Sequence, residues 1–302
     1  MELVNASASS FEWRYKVNQS LLQIALYTLM PIGVAMNTIQ IFVYLRKKFV
    51  KNSMNPFLIA LPLNSIFVLI LISLRFADTI QIFNYEQNTD IGCKFASFFI
   101  RLFLSGCFWL NFLLTIDRLF FILYPNKFKK LQHTNNIIKI IFLMYLLLAI
   151  LCSPSFFFNS SRTLNSKTNE TKLSCVAHPA LSISRIAIVQ LFGMFVPFFL
   201  MFGTNIVLIR KVAKSRKKFA SAKEMNFAFS LIISNILFLV SFIPFSIFLI
   251  SNLLKVINPR IAKDPKIGSL IALYDTCAFI IACYNFSLGL LIQIIFNKLF
   301  RK

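Results

Sequence analysis

The stretch from Cys93 to Arg118 constrains the fold more than any other part of the chain. It is a largely apolar run with a cysteine at its start and an Asp-Arg pair, Asp117 and Arg118, at its end. The arginine lies 25 residues after the cysteine, and a helix rising about 1.5 Å per residue covers roughly 37 Å over that length. This distance matches the hydrocarbon core of a bilayer plus part of each interface. One transmembrane helix can therefore place Cys93 at one membrane face and Arg118 at the other.

The composition indicates that the rest of the chain is also in a membrane. Hydrophobic residues make up 58% of the 302 residues, charged residues only 14%, and the mean hydropathy is +0.73, which no water-soluble domain needs. A net charge of +22 would suit a nucleic-acid-binding protein. The lysines and arginines, however, lie in short clusters between apolar runs and not on one soluble domain. We therefore expect an all-α membrane protein that contacts lipids and no nucleic acid.

Apolar runs long enough to cross a bilayer occur seven times. Besides the run that starts near Cys93, they cover about 21–45, 55–77, 140–158, 183–209, 225–254 and 267–296. Basic clusters follow the first, third and fifth runs, and such clusters mark the cytoplasmic side. The prediction is a seven-transmembrane helix bundle over residues 21–296, with an extracellular N-terminal segment over 1–20 and a short cytoplasmic tail over 297–302.

Four Asn-x-Ser/Thr sequons lie on the side that this topology places outside the cell. They begin at Asn5, Asn18, Asn159 and Asn169, and these asparagines are predicted N-glycosylation sites. Glycosylation belongs to proteins that face the oxidising, extracellular side, where disulfides also form. We therefore expect a multi-pass glycoprotein of the plasma membrane.

Motifs in spans three and six are similar to those of one receptor family. Asp117-Arg118-Leu119 stands where rhodopsin-like (class A) G-protein-coupled receptors carry Asp/Glu-Arg-Tyr, and Pro125 follows at the family's spacing. Span six reads Phe238-x-x-x-Phe242-x-Pro244, which resembles the family's Phe-x-x-x-Trp-x-Pro. The chain is identified by this resemblance as a divergent member of that family.

The resemblance implies a disulfide, a partner and a switch. Cys93 should be bonded to Cys175 in the second outer loop, and a heterotrimeric G protein should bind the inner face. A proline at mid-helix removes one backbone hydrogen bond and provides a hinge, so span six would swing outward at Pro244 on activation. The expected switch and coupling residues are Asp117, Arg118, Glu224, Phe238, Phe242 and Pro244, with Glu224 pairing with Arg118 in the inactive state.

Several positions depart from the family's pattern. Ser65 occupies the place where most members carry an aspartate that helps hold a sodium ion, so the sodium site is expected to be absent. Asn205 stands where a tyrosine is usual, and residues 289–293 replace Asn-Pro-x-x-Tyr. Asn37 matches the family, in which an asparagine here is a buried amide bonded to a neighbouring helix backbone.

Charged residues in the outer half of the bundle are the candidates for ligand binding, because ionisable groups within a bilayer are costly. Arg101 lies eight residues after Cys93, about 12 Å down the helix, in the outer third where family members bind ligands. Arg101 either has a structural role, in a salt bridge with Asp275 or in hydrogen bonds to loop carbonyls, or captures an anionic group. The second role is chemically suitable because a guanidinium forks onto carboxylate or phosphate oxygens. The predicted ligand-binding residues are Arg101, Arg75, Lys94, Arg185 and Asp275.

The favoured function is a receptor that activates a heterotrimeric G protein when it binds an extracellular ligand with an acidic group, such as a peptide or an acidic lipid. No catalytic constellation and no metal-ligand set is present in the sequence, so neither an enzyme nor a cofactor or metal is predicted. Two alternatives remain open. The first is a chemosensory receptor for small apolar molecules, and the second is a non-signalling decoy that kept the fold and lost the switch.

Overall fold

The structure of the protein is a computed structural model that describes residues 2–47, 54–80, 82, 89–124, 133–164, 171–215, 222–257 and 265–296. Within these ranges, seven helices are long and apolar enough to cross a membrane. The predicted seven-transmembrane helix bundle is therefore confirmed. Pro125, Asn169 and the tail 297–302 lie outside the described residues.

The spans are numbered one to seven in chain order. Their bounds are Glu2–Ile24, a π-helical turn at Ala25–Leu29 and Met30–Tyr44 for span one; Asn55–Thr79 for span two; Asp90–Leu123 for span three; Thr134–Cys152 and a 3₁₀ turn at Ser153–Phe157 for span four; Pro179–Gln190, a π-helical turn at Leu191–Phe195 and Val196–Ser215 for span five; Ala222–Ile257 for span six; and Pro265–Phe296 for span seven. Pro62 and Pro244 lie inside the helices of spans two and six.

Span one differs from the sequence prediction at its outer end. Its helix begins at Glu2, 19 residues before the expected start at residue 21. The first proline of the chain is Pro31 and the first glycine is Gly33, so nothing in the outer segment breaks a helix. Arg14 donates from Nη1 to Ser269 Oγ at the start of span seven, at 3.2 Å, and this contact ties the outer extension to the bundle.

Span three lies at the centre of the bundle. In its most apolar window 67% of the residues are buried, against 22–44% in the other six described spans. Its start is capped by Thr89, whose hydroxyl accepts a hydrogen bond from the Gly92 N–H at 2.9 Å, and Asp90 in the first turn complements the helix dipole. This cap places Cys93 within the first turn and therefore at the tip of the helix that the predicted topology puts outside.

A short antiparallel sheet lies between spans four and five. Its strands are Asn159–Leu164 and Thr171–Val176, and their register pairs Ser160 with Cys175. Cys175 forms the implied disulfide with Cys93, with the two Cα atoms 5.6 Å apart. The sheet is thereby fastened to the outer end of span three.

Polar side chains connect the helices at mid-bundle. The Asn37 amide donates to the Gly33 carbonyl at 2.8 Å and to the Phe286 carbonyl of span seven at 2.6 Å, which confirms the buried amide implied by the resemblance. Asn64 of span two donates to the Phe103 carbonyl of span three at 2.9 Å. These bonds satisfy polar groups that would otherwise be costly in lipid.

Candidate ligand cavity and switch region

A cavity of about 420 Å³ lies in the outer half of the bundle. Five spans contribute to its wall, from span two to span seven with the exception of span four. Most of the lining is apolar, and the polar exceptions are two arginines and one glutamine. The described lining consists of Arg75, Ile100, Arg101, Leu104, Ile186, Val189, Gln190, Met194, Phe245, Phe248, Leu249 and Phe279.

Two of the predicted ligand-binding residues, Arg75 and Arg101, meet at this cavity. Arg101 is half-buried on span three, and its Nη1 donates to the Ser97 carbonyl one turn earlier, at 2.7 Å. Arg75 is exposed on span two. Each guanidinium has five N–H donors, and one of those of Arg101 is directed at the Ser97 carbonyl.

The other three predicted residues are not among the described residues that line the cavity. Arg185 is buried at the start of span five, with its guanidinium carbon 3.4 Å from the Phe158 ring centroid. Asp275 accepts a hydrogen bond from the Ser251 hydroxyl of span six at 3.3 Å. Lys94 is half-buried next to the disulfide. Their role in ligand binding stays a prediction.

Sequence reasoning did not assign Gln190 or the phenylalanines of the cavity. Gln190 is a polar residue within the apolar run of span five, and that isolation was a usable signal. The phenylalanines gave no such signal, because 36 of them are spread over the chain. Only the packing of the helices separates Phe245, Phe248 and Phe279, which line the cavity, from rings that face lipid.

Below the cavity, aromatic rings connect spans three and six. The ring of Phe242 lies 4.4 Å from that of Phe108 and 4.4 Å from that of Phe238, centroid to centroid. Phe242 also lies 5.3 Å from Phe245, a residue of the cavity wall. The Pro244 carbonyl accepts a hydrogen bond from the Tyr274 hydroxyl of span seven at 2.9 Å. Phe245 thus belongs to the cavity wall and also contacts a ring beside the predicted hinge at Pro244.

At the inner end of span three, Asp117 and Arg118 are both only 6% exposed. The Arg118 guanidinium carbon lies 5.5 Å from the Phe121 ring centroid, which is within cation–π range. Glu224 belongs to the helix of span six by its backbone, but its side chain lies outside the described residues. The pairing of Arg118 with Glu224 therefore stays a prediction.

Comparison with known protein families decides the assignment. The family model for the seven-transmembrane receptors of the rhodopsin family matches residues 36–285, most of the chain. The chain belongs to the rhodopsin family of receptors. A relative from mouse, lysophosphatidic acid receptor 6, is 23% identical over 233 residues, which cover 72% of this chain and 64% of the relative. The chain thus spans slightly less than two thirds of that relative's length. Proteins of this family are receptors, not enzymes.

At mid-bundle, the described side chains around Ser65 do not include the carboxylate that would hold a sodium ion. Ser65 donates its hydroxyl to the Leu61 carbonyl of its own helix at 3.0 Å, and the neighbouring Asn64 accepts from the Tyr145 hydroxyl at 2.6 Å. A small gap of about 40 Å³ beside Ser65 is lined by amides, hydroxyls and apolar groups, with no carboxylate among its described residues. Hard cations prefer carboxylate oxygens, so these side chains do not fit a resident cation.

Proposed function

We propose that the receptor binds an extracellular acidic lipid and, in response, activates a heterotrimeric G protein at the plasma membrane. The observation that carries the proposal is the pair of guanidiniums, from Arg75 and Arg101, in a cavity whose other walls are mostly apolar. A ligand with an anionic head and an apolar body satisfies both kinds of surface. The name of the mouse relative, a lysophosphatidic acid receptor, supports an acidic lipid over a peptide as the ligand class.

The aromatic contacts support a route from the cavity to the inner face. Phe245 and Phe248 belong to both the cavity wall and span six, and Phe245 touches Phe242. A bound ligand that fits the outward position of span six better than the inward one would shift the population toward the outward position. The hinge at Pro244 would then move the inner half of the helix, and Arg118 would become accessible to the G protein.

The test is a ligand screen with Arg101 variants. Lysophospholipids with a phosphate headgroup and monoacylglycerols with the same acyl chain are applied to cells, and G-protein dissociation is measured. We expect a response to the acidic lipids alone. Arg101→Gln should raise the half-maximal concentration roughly 10- to 100-fold, because a hydrogen bond to a charged group contributes about 1.5–3 kcal/mol. Lys16→Gln is the control, because Lys16 is an exposed basic residue of span one outside the described cavity wall, and it should change the response little.

The alternatives predict other outcomes. A chemosensory receptor for apolar molecules would respond to the neutral lipids, and Arg101→Gln would leave that response intact. A decoy would bind a ligand without any G-protein signal, and Arg118→Ala would then change nothing in any signalling assay. Either result would overturn the proposal.

A further inference from the structure

An amide on the inner half of span six bonds to two neighbouring spans. Asn235 donates from Nδ2 to the Thr115 hydroxyl of span three at 2.7 Å and lies 3.2 Å from the Asn205 Oδ1 of span five. All three residues are at most 3% exposed. Thr115 lies one turn before Arg118 on the same helix. This cluster of Asn235, Thr115 and Asn205 is called the polar latch below.

The members of the polar latch are oriented by bonds within their own helices. Thr115 donates its hydroxyl proton to the Asn111 carbonyl at 2.7 Å, so its oxygen faces Asn235 as an acceptor. Asn205 donates from Nδ2 to the Met201 carbonyl at 2.8 Å, so its Oδ1 is directed at Asn235 as well. Asn235 therefore meets two pre-oriented acceptors from two different helices.

A second polar contact lies further toward the inner end of span six. Ser230, five residues before Asn235, is 3.5 Å from Gln293 Oε1 of span seven, and both residues are buried. Asn205 and Gln293 belong to the positions where the sequence departs from the family pattern. Two of the departures, Asn205 and Gln293, thus contact polar side chains of span six.

The polar latch lies far enough from the hinge at Pro244 that a small rotation of span six would break its hydrogen bonds. Asn235 lies nine residues before Pro244, about 13.5 Å along the helix. A rotation of span six by about 15° at the proline would move Asn235 by about 3.5 Å. Such a shift breaks a bond of 2.7 Å, because hydrogen bonds are lost beyond about 3.5 Å. The bonds of the latch therefore exist only while the inner half of span six lies against spans three and five.

We propose that Asn235 is the positioning residue that holds span six in its inward, resting position, through the polar latch with Thr115 and Asn205. The latch has a signalling role only if the receptor activates a G protein, as proposed above, so its test uses a readout that needs no G protein. Each hydrogen bond between transmembrane helices shifts such an equilibrium about threefold, and the loss of both bonds of Asn235 shifts it about eightfold.

The experiment measures the position of span six directly. Nitroxide labels are attached at Asn135→Cys, exposed at the inner start of span four, and at Phe229→Cys, exposed on span six. A Cys277→Ser background removes the half-buried native thiol. Distances between the labels are measured by double electron–electron resonance in lipid nanodiscs without ligand. We expect Asn235→Leu to increase the population with the longer distance about eightfold and Thr115→Val about threefold.

A conservative variant separates the latch from ordinary packing. Thr115→Ser keeps the hydroxyl and should retain the parental distance distribution, whereas Thr115→Val keeps the branched shape and loses the acceptor. If Asn235→Leu fails to fold, the Thr115 pair alone decides. Unchanged distances in folded Thr115→Val protein overturn the proposal. Longer distances support it. Nucleotide exchange on an added G protein then measures coupling separately. If exchange does not rise, the proposed function is contradicted, whereas the proposal about the polar latch still holds.

Discussion

Single polar side chains set the relative positions of whole helices in this receptor. Asn37 donates to carbonyls of two helices, and Gly33 beside it lies so close to span seven that an added Cβ would contact the Ser287 hydroxyl. The amide and the glycine act together, because the close approach that the glycine permits brings the Phe286 carbonyl within reach of the amide. In lipid, where apolar burial does not drive helices together, such contacts account for much of the association.

Asn37→Leu tests this role. The substitution keeps the volume and removes both bonds, and it leaves the Phe286 carbonyl without this donor. We expect a destabilisation of about 1–2 kcal/mol, seen as a melting temperature lowered by about 2–4 °C in detergent. Thr38→Val is the control, because the Thr38 hydroxyl donates to the Val34 carbonyl of its own helix. An equal effect of both substitutions would show that the bond between spans one and seven is unimportant.

At the scale of elements, two of the described spans contain a π-helical turn, and the turn in span five accepts a hydrogen bond from a side chain of span three. The turn Leu191–Phe195 in span five contains Met194, a residue of the cavity wall. A π turn disturbs the regular ladder of backbone bonds. Trp109 of span three donates from Nε1 to the Phe192 carbonyl at 3.1 Å. A side chain of the central helix thus bonds to span five where it borders the cavity.

Trp109→Phe should loosen this turn. The phenyl ring retains most of the apolar contact but has no donor for the Phe192 carbonyl. We expect faster hydrogen exchange, by about threefold or more, in peptides that cover residues 191–195, measured by mass spectrometry. Trp13→Phe is the matched control, because Trp13 is exposed on the outer part of span one and lies far along the chain from the turn. Unchanged exchange in Trp109→Phe would rule out the stabilising role of this bond.

At the scale of the whole molecule, the predicted topology places the disulfide and the four glycosylation sequons on the same side of the membrane. The bond from Cys93 to Cys175 spans 82 residues of sequence and joins the central helix to the sheet between spans four and five. Asn18 lies within the helix Glu2–Ile24 and is half-buried, and Asn159 is exposed at the start of the sheet. The glycosylation of Asn5, Asn18, Asn159 and Asn169 and the outside position of the N-terminus stay predictions.

Because one disulfide joins Cys93 and Cys175, removing either cysteine or both should lower the stability of the receptor equally. Cys93→Ser, Cys175→Ser and the double variant break the same bond, so each should lower the stability of the receptor by a similar amount, about 2–4 kcal/mol. Cell-surface abundance and thermal unfolding are the measurements. Cys277→Ser is the control, because Cys277 is a free, half-buried thiol, and it should have little effect. A double variant clearly worse than either single variant would contradict a shared role.

The sequence by itself determined the number of spans, the disulfide partners and the family. A long apolar run in lipid folds as a transmembrane helix, because a helix satisfies the hydrogen bonds of every backbone polar group within the run itself. The pattern at Asp117-Arg118 and Pro244 then distinguished a receptor from other helical bundles. The buried amide at Asn37 was also recognisable, because its partner is a backbone carbonyl that every helix offers.

Only the tertiary structure decided which side chains meet. It separated Arg75 and Arg101, which line the cavity, from Arg185, which lies over Phe158. It also joined Asn235 to Thr115 across 120 residues of sequence. The sequence could not reveal these contacts, because apolar spans in lipid are hydrophobic all round. Their rotation is set by packing against neighbouring helices, and that packing depends on all seven spans together.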